Sequence, residues 1–412
     1  MSVVPLRRAT PAEDAVVAAA EIGLRDADDA RRNAIAVLRR EGLPHRRVEA
    51  WHYTDLRALA GREPRGGANI QVDDLLTPLL PNSIVVELSQ ASNPGVAGLR
   101  VEKSSEAPDW RRPVNHLDRE VDTVRLLAAA FGAPAARIVV EAGTALERPV
   151  ELRSATTEHG ERSFVICKIE AGASATIVER LGTGSAQALS AVVSNLVLGD
   201  GAEVLWIVDQ ARGAGETHLG QLNVSLGKDA KFRMFVLNTG GALVRQEVHT
   251  VTEGEGAEIT IRGVNLIEDG QHIDVTTTLN HVAPHTTATE VFRNVVLGGH
   301  GVFQGMIRVA KGAQKTDAKL ACNTLLLSDD GDFSAKPELE IFADDVLCGH
   351  GATVSEIDGN HLFYLMSRGI PKAQARALLV RAFVDEVVEE LEDEAIVAAL
   401  EARIDAWLER DR

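Results

Sequence analysis

The chain has 412 residues, of which 45% are hydrophobic, which is enough for one large folded body with smaller appendages. Sixty acidic residues against 43 basic residues give a formal net charge of −17. A surface this acidic repels phosphate backbones and disfavours general nucleic-acid binding. Aromatic residues make up only 4% of the chain. A composition with so few aromatic residues suits thin, regular β layers better than a bulky aromatic core.

The chain contains three cysteines, Cys167, Cys322 and Cys348. An odd and sparse set of cysteines does not form a disulfide framework and is typical of a reducing compartment. The N-terminal residues lack the uninterrupted apolar segment of a secretion signal, and no apolar stretch is long enough to span a bilayer. We therefore expect a soluble, cytoplasmic protein.

Residues 10–60 are predicted to be helical, because they are rich in alanine and place apolar residues near helical spacing. Thr10, followed by Pro11 and Glu13, has the pattern of an N-cap with a proline in the first turn. A stretch rich in glycine and proline, residues 61–67, closes this region, and residues 68–115 give weak signals. The sequence of residues 123–131 indicates one short helix before the pattern changes.

Between residues 137 and 358, short β-forming runs alternate with glycines at a near-constant interval. Gly143, Gly172, Gly199, Gly227 and Gly254 lie 29, 27, 28 and 27 residues apart, and Pro284, Gly312 and Pro337 continue the series more loosely. A fixed period in this range is typical of a solenoid. Because each period holds two strand-like runs, the sequence predicts a parallel β-helix that advances one strand spacing, ~4.8 Å, per repeat. A β-sandwich with coincidental glycine spacing is the alternative.

Two amphipathic helices are predicted after Pro371. Each has an apolar face with residues every four positions, formed by Leu379, Phe383, Val387 and Leu391 in the first helix and by Ile396, Leu400, Ile404 and Leu408 in the second. Asp393 is the expected cap between the two helices. The pair either caps the solenoid or forms a docking surface for another subunit.

The strongest local candidate for chemistry is the segment Cys348-Gly349-His350. In an extended strand, residues i and i+2 face the same way, so a thiolate and an imidazole would lie on one face. Such a pair suits iron or zinc, although two ligands leave a tetrahedral site incomplete. Taken alone, the pattern is weak and favours structural roles, because buried cysteines are common and a lone histidine is usually structural.

The other candidate residues have structural interpretations. Cys322 and Cys167 adjoin or lie within apolar runs that favour packing roles. Four histidines recur at solenoid spacing and could stack on one sheet, namely His272, His281, His285 and His300. The sequence has no phosphate loop, no nucleophile elbow, no H-E-x-x-H and no C-x-x-C, so it does not predict ATP hydrolysis by this chain.

Four segments together resemble the SufB/SufD family of iron–sulfur cluster assembly scaffolds, and its SufD branch in particular. They are GVFQGMIRVAKGAQKTDAK at residues 301–319, KPELEIFADDVLCGHGATVSEID at residues 336–358, LFYLMSRGI at residues 362–370 and RRVEAWHYTDLRAL at residues 46–59. The segment around His350 reads Gly-His-Gly-Ala-Thr, the SufD form, whereas the SufB form has glutamates around the histidine. Cys322 departs from the SufD pattern, because it falls where SufB places a sulfur-accepting cysteine.

The resemblance implies a fold of three regions. These are an N-terminal helical or mixed region at residues 1–115, a right-handed parallel β-helix at residues 116–358 and a C-terminal helical region at residues 359–412. It also implies a non-catalytic scaffold that pairs with SufB through the β-helix and binds the ATPase SufC through its C-terminal region. By itself such a subunit could form a homodimer.

Site roles and cargo follow from the same resemblance. Cys348 and His350 are expected at the cluster-assembly site. Cys322 is expected to be either a neutral replacement or a second sulfur-handling thiol. The residues expected to bind SufC are Phe363, Tyr364, Arg368 and Gly369. The cargo is a transient iron–sulfur cluster shared with SufB, supplied indirectly by a cysteine desulfurase system, with a flavin associated with the whole complex. The alternatives are a β-helix enzyme acting on polysaccharides, which the scarcity of aromatic residues disfavours, and a binding module without metal chemistry.

Overall fold

The computed structural model describes residues 9–22, 24–60, 77–157, 160–182 and 188–410. Its centre is a solenoid of two facing parallel sheets, through which the chain passes alternately. This arrangement confirms the predicted parallel β-helix and excludes the β-sandwich, whose strands would be antiparallel. The stretch rich in glycine and proline at residues 61–67 lies outside the described residues.

The strands of the solenoid are short and regular, and most of those in its middle are ten residues long. They are β1 (Ile84–Glu87), β2 (Leu99–Ser104), β3 (Ala135–Val140), β4 (Val150–Arg153), β5 (Ala155–Thr157), β6 (Gly160–Ile169), β7 (Ser174–Leu181), β8 (Leu189–Leu198), β9 (Glu203–Arg212), β10 (Thr217–Leu226), β11 (Lys231–Gly240), β12 (Leu243–Thr252), β13 (Glu258–Ile267), β14 (His272–His281), β15 (Thr287–Val296), β16 (His300–Val309), β17 (Asp317–Leu326), β18 (Asp332–Ile341) and β19 (Leu347–Glu356).

Odd-numbered and even-numbered strands separate into two sheets along most of the solenoid. Sheet A has the order β1-β4-β7-β9-β11-β13-β15-β17-β19, and sheet B has the order β2-β3-β6-β8-β10-β12-β14-β16-β18. Neighbours are parallel except for the antiparallel pairs β2–β3 and β5–β6. The weakly patterned residues 68–115 therefore contribute β1 and β2, one strand to each sheet.

The repeat has its origin in a left-handed turn that precedes seven of the nine strands of sheet A, from β4 to β17. The turn residue has a positive φ of 53–75° in seven successive coils, where it is Gly143, Gly172, Gly201, Asp229, Gly256, His285 or Lys315. Its N–H bonds to a carbonyl of the next coil, as Gly201 does to Lys228 at 2.7 Å. Glycine recurs here because it adopts this conformation without steric cost.

The predicted glycine series mixes two positions of this turn. Gly143 and Gly172 occupy the left-handed position, whereas Gly199, Gly227 and Gly254 lie two residues earlier in their turns. At the earlier position the backbone of the previous coil leaves no room, and a Cβ on Gly254 would lie 2.0 Å from the Lys228 nitrogen. The predicted extension of the glycine series to Pro337 was wrong, because that residue lies inside β18 and not in a turn.

Seven helices among the described residues flank the two sheets. They are α1 (Pro11–Glu21), α2 (Asp29–Glu41), α3 (Leu56–Leu59), α4 (Thr123–Phe131), α5 (Gly359–Ser367), α6 (Lys372–Val388) and α7 (Glu394–Arg410). Thr10 caps α1 in a capping box with Glu13, and α4 spans the predicted residues, so both predictions are confirmed. Helices α1, α2 and α4 pack on the outer face of sheet B, where Val193 and Leu219 are buried.

Helices α6 and α7 cover the outer face of sheet A and do not close the end of the solenoid. Their apolar residues pack on Ile207, Phe235 and Val264 of that sheet. The predicted apolar face of α7 is confirmed, and Asp393 accepts bonds from the first amides of that helix. The predicted face of α6 was partly wrong, because Val380 and Val384 are buried where Leu379 and Phe383 were expected.

A row of amides crosses the interior of the solenoid on sheet A. Gln210 donates to Asn238 at 3.1 Å, Asn238 to Asn265 at 2.7 Å and Asn265 to Asn294 at 2.7 Å. These positions recur at the repeat period, so each coil supplies one amide to its neighbour. This amide ladder satisfies polar groups inside an otherwise apolar core.

Candidate functional site

The last two strands, β18 and β19, leave one end of the solenoid open. Strand β18 pairs only with β16, and β19 pairs only with β17, so no described strand bonds to their outer edges. All residues of β18 but its two ends are half-buried, and most of β19 is exposed. A pair of unpaired strand edges is a template for adding another chain.

The fold places Cys348 and His350 on the interior face of β19 at this open end. The register sets Cys348 beside Ala318 and His350 beside Leu320 of β17. Ala318 and Leu320 belong to the solenoid core, and side chains at paired positions of a parallel sheet share a face. The thiol and the imidazole therefore face the same way, on top of the last complete coil.

The two side chains have different environments. Cys348 is half-buried against the core, and burial raises the pKa of its thiol, which favours the protonated form in this chain alone. His350 is exposed. A metal ion or a cationic group from a partner would be needed to deprotonate the thiol.

Cys322 lies one strand further inside, on the same interior face, beside Ala352 of β19. Its side chain is fully buried, and the Asn294 amide nitrogen lies 3.3 Å from its sulfur at the end of the amide ladder. Burial raises the pKa of the thiol to about 12. Cys167, on β6, is likewise fully buried with a pKa raised to about 12.

Apolar side chains surround the open end. Leu347 is 69% exposed, Phe342 57%, Val354 46% and Ile341 40%. Exposed apolar side chains on or beside unpaired strand edges favour association with another chain. We call these four residues the end patch.

A second exposed apolar surface lies on helix α5, which begins three residues after β19 and buries none of its residues. Phe363 is 73% exposed and Tyr364 is 55% exposed. Arg368 stacks on the Tyr364 ring at 4.9 Å and donates to its hydroxyl at 2.8 Å, and Gly369 follows with a φ of 87°. The predicted SufC-binding residues thus lie together, apart from the interior face that holds Cys348.

Within the described residues, no group of three or more His, Cys, Asp or Glu side chains is arranged to hold a metal ion. In the same part of the chain, no helix has the length and apolarity needed to cross a bilayer. The predicted histidine stack is present for one pair, since the rings of His272 and His300 lie 5.1 Å apart and nearly parallel. His281 is in the interior instead, and His285 occupies a left-handed turn.

The segment at residues 46–59 attaches the N-terminal helices to sheet B, a role that the sequence did not reveal. Trp51 is fully buried, donates to Asp118 at 3.1 Å and lies under the Arg245 guanidinium at 4.2 Å. Thr54 bonds to Asp274 on β14, and Asp55 caps α3. The resemblance of this segment to the family therefore has a structural basis.

The same segment reaches the open end of the solenoid. Glu49 pairs with Lys336 of β18 at 2.6 Å, and this contact lowers the pKa of the Glu49 carboxyl. A side chain on the last strand of sheet B is thus held by the N-terminal region. The pairing of β18 with any further strand must leave this contact in place or replace it.

Comparison with known proteins gives a consistent result. The family model for the SUF system FeS cluster assembly SufBD core domain matches residues 152–383. A SufBD family protein of Synechocystis is 27% identical over 407 residues, covering 91% of this chain and 88% of the relative. The iron–sulfur cluster assembly protein SufD of Escherichia coli K12 is 27% identical over 388 residues, covering 89% of this chain and 90% of the relative. A SufBD family protein of Mycobacterium tuberculosis is 27% identical at the same coverage.

Proposed function

The chain belongs to the SufBD family of iron–sulfur cluster assembly proteins, and on that premise we propose that it is the SufD-type scaffold subunit of a SUF complex. The observation that carries this proposal is the open end of the solenoid, where Cys348 and His350 face the interior of an unfinished coil. The ligand pair is incomplete by itself and lies where another subunit would complete it. The three free cysteines fit a cytoplasmic location.

SufB pairs, in this proposal, with the open end through β18, β19 and the end patch. The support is the unpaired strand edges together with the exposure of Leu347 and Phe342. Proline lacks a backbone N–H, so Pro337 restricts bonding on the edge of β18, whereas β19 contains no proline. In the absence of SufB, the same surfaces would form a homodimer.

Cys348 and His350 provide two ligands to a nascent cluster, and SufB supplies the others. A thiolate and an imidazole leave about two positions of a tetrahedral iron open, which a cysteine or glutamate of SufB would occupy. The cluster is cargo, and its sulfur arrives indirectly from a cysteine desulfurase. We place any flavin at the level of the whole complex and assign it no residue of this chain.

The ATPase SufC docks, in this proposal, on α5 and the adjoining turn at Arg368 and Gly369. The support is the exposure of Phe363 and Tyr364 on a helix that buries nothing. The apolar faces of α6 and α7 are already used on sheet A. ATP hydrolysis then belongs to SufC, and this chain is the non-catalytic scaffold.

Co-purification tests the two interfaces separately. Leu347→Glu should abolish capture of SufB, because it places a charge in the end patch, while Val85→Glu on the opposite edge strand β1 is the matched control. Phe363→Ser should abolish capture of SufC, with Ile22→Ser, at another exposed apolar residue, as its control. Deleting the C-terminal helices is a poorer test, because it would uncover Phe235 and its neighbours on sheet A. Retention of both partners by the two test variants would refute the interfaces.

Cluster reconstitution tests the site. The complex with His350→Ala should assemble but form much less cluster in anaerobic reconstitution, measured as iron, sulfide and visible absorbance. Cys348→Ser should be milder, and His52→Ala, which removes an exposed imidazole elsewhere, should have no effect. A wild-type cluster yield from His350→Ala would remove this residue from the site.

A substitution of Cys322 distinguishes a packing role of this thiol from a role in sulfur handling. Its complete burial and raised pKa favour a packing role, so Cys322→Ser should be nearly silent in the same assay. A loss of sulfide in that variant, without loss of stability, would assign it to sulfur handling instead.

A further inference from the structure

A cavity of about 400 Å³ lies on the outer face of sheet B, and its lining extends as far as β16, the strand beside β18. It crosses five strands, from β8 to β16, and Val114, His116 and Arg125 of the segment before and within α4 form its roof. This volume is within the range of small-molecule sites. The cluster site and helix α5 do not use it, whereas one lining residue, Arg308, reaches the end patch, with its guanidinium 5.9 Å from the Phe342 ring.

The floor of the cavity is flat and partly apolar. One row of outward-facing residues runs across the strands in register, from Val197 through Ser225 and Val251 to Asn280 and Arg308. Parallel strands hold these side chains ~4.8 Å apart in a nearly straight line. Val197 is 43% exposed, and Val114, another residue of the lining, is 37% exposed. Exposed apolar side chains beside a flat sheet suit a planar apolar body.

The charged side chains of the cavity are basic. Arg125 lines one part of the cavity, fixed by bonds to Gln221 at 2.8 Å and to the Asp109 carbonyl at 3.3 Å. Arg308 lies at the end of the row, with its Nε 3.2 Å from Glu340. Two histidines also line the cavity, and none of its described lining residues is a carboxylate. Glu340 lies outside this lining and pairs with Arg308, and its Oε1 is 3.7 Å from the His116 Nε2, so a ligand anion would compete with Glu340 for these basic groups.

Buried polar atoms at the cavity lack partners in the described part of the chain. His249 is 3% exposed, and its Nε2 lies 3.3 Å from Glu247, but its Nδ1 has no hydrogen-bond partner. The side-chain oxygen of Asn223, in the same row as His249, is likewise without one. Buried polar atoms are normally satisfied by protein, water or ligand.

From these observations we propose that the cavity binds a small planar aromatic anion. The flat floor beside Val197 holds the ring, and the guanidinium of Arg308 binds the carboxylate, sulfonate or phosphate group. The amides of Asn223 and Asn280 provide bonds at the ring edge. This site does not depend on the proposed role in cluster assembly.

Equilibrium dialysis of the full chain against two matched probes tests the proposal. Naphthalene-2-sulfonate carries the anion, and neutral 2-naphthol has the same ring system without it. The wild-type chain should bind one naphthalene-2-sulfonate, and Arg308→Met should weaken this binding at least about tenfold, because a charge-assisted bond is lost. Binding of 2-naphthol should be weaker in the wild type and unchanged by Arg308→Met. Arg137→Met, at a comparably exposed arginine outside the cavity, is the control.

A second variant locates the site. Ser225→Phe fills the floor from the outer face of β10 and should abolish binding of both probes, with the thermal unfolding midpoint checked against the wild type. Saturable binding that survives Ser225→Phe would place the ligand elsewhere and overturn the proposal. Equal affinity for the two probes, or no saturable binding of the sulfonate, would overturn it as well.

Discussion

The amide ladder inside the solenoid gives the sharpest prediction about stability. Asn265 accepts a bond from Asn238 and donates one to Asn294, each at 2.7 Å, and all three residues are buried. Replacing Asn265 by alanine removes both bonds and leaves one amide donor and one carbonyl acceptor without partners in the core. Each orphaned group costs roughly 1–3 kcal/mol, so we expect Asn265→Ala to lower the free energy of unfolding by about 2–6 kcal/mol.

The measurement is urea unfolding followed by tryptophan fluorescence, with Trp206 inside the solenoid as a reporter. Asn195→Ala is the matched control, because this amide faces outward on β8 and accepts one bond, from Asn223 at 3.1 Å. Water can replace that bond, so the control should lose less than about 1 kcal/mol. If Asn265→Ala is no more destabilising than Asn195→Ala, the ladder contributes no stability and the reasoning is wrong.

Two further predictions concern buried titratable groups. Burial raises the pKa of Glu290 from its ordinary value of 4.5 to about 8, so the folded state favours the protonated carboxyl, and this stabilisation is lost as the pH rises from 4.5 to about 8. The free energy of unfolding of Glu290→Gln, measured in urea, should therefore rise relative to that of the wild type between about pH 5 and about pH 8.5. A difference between the two proteins that does not change with pH would contradict this prediction. Of the three thiols, only Cys348 is accessible, so Ellman's reagent should titrate one thiol in the folded chain and three after unfolding. Reaction of a second thiol under native conditions would contradict the burial of Cys322.

The solenoid was predictable because its repeat is imposed by local backbone geometry. Seven coils have a left-handed residue before their strand of sheet A, and glycine is the usual solution. Where the turn uses Asp229, His285 or Lys315 instead, the glycine signal disappears although the turn is the same. The series of glycines therefore predicted the fold correctly and the turn position incorrectly.

The amide ladder carries a signal that the same search could have found. Gln210, Asn238, Asn265 and Asn294 recur at the period of the coils, as the glycines do. A search for any polar residue type at this period would have predicted an interior row. The faces of the C-terminal helices were harder to predict, because several positions of α6 are apolar and the sheet decides which of them are buried.

The sequence by itself determined the β-helix, the two C-terminal helices, the cap at Thr10 and the shared face of Cys348 and His350. Each of these depends on interactions between residues close in the chain or on a fixed period. Only the tertiary structure decided that α6 and α7 cover sheet A and that Trp51 packs against Arg245 where the N-terminal helices meet sheet B. It also decided that Cys322 is buried while Cys348 is partly accessible at the open end. These outcomes depend on contacts between distant residues, and burial is a property of the assembled surfaces that no local pattern contains.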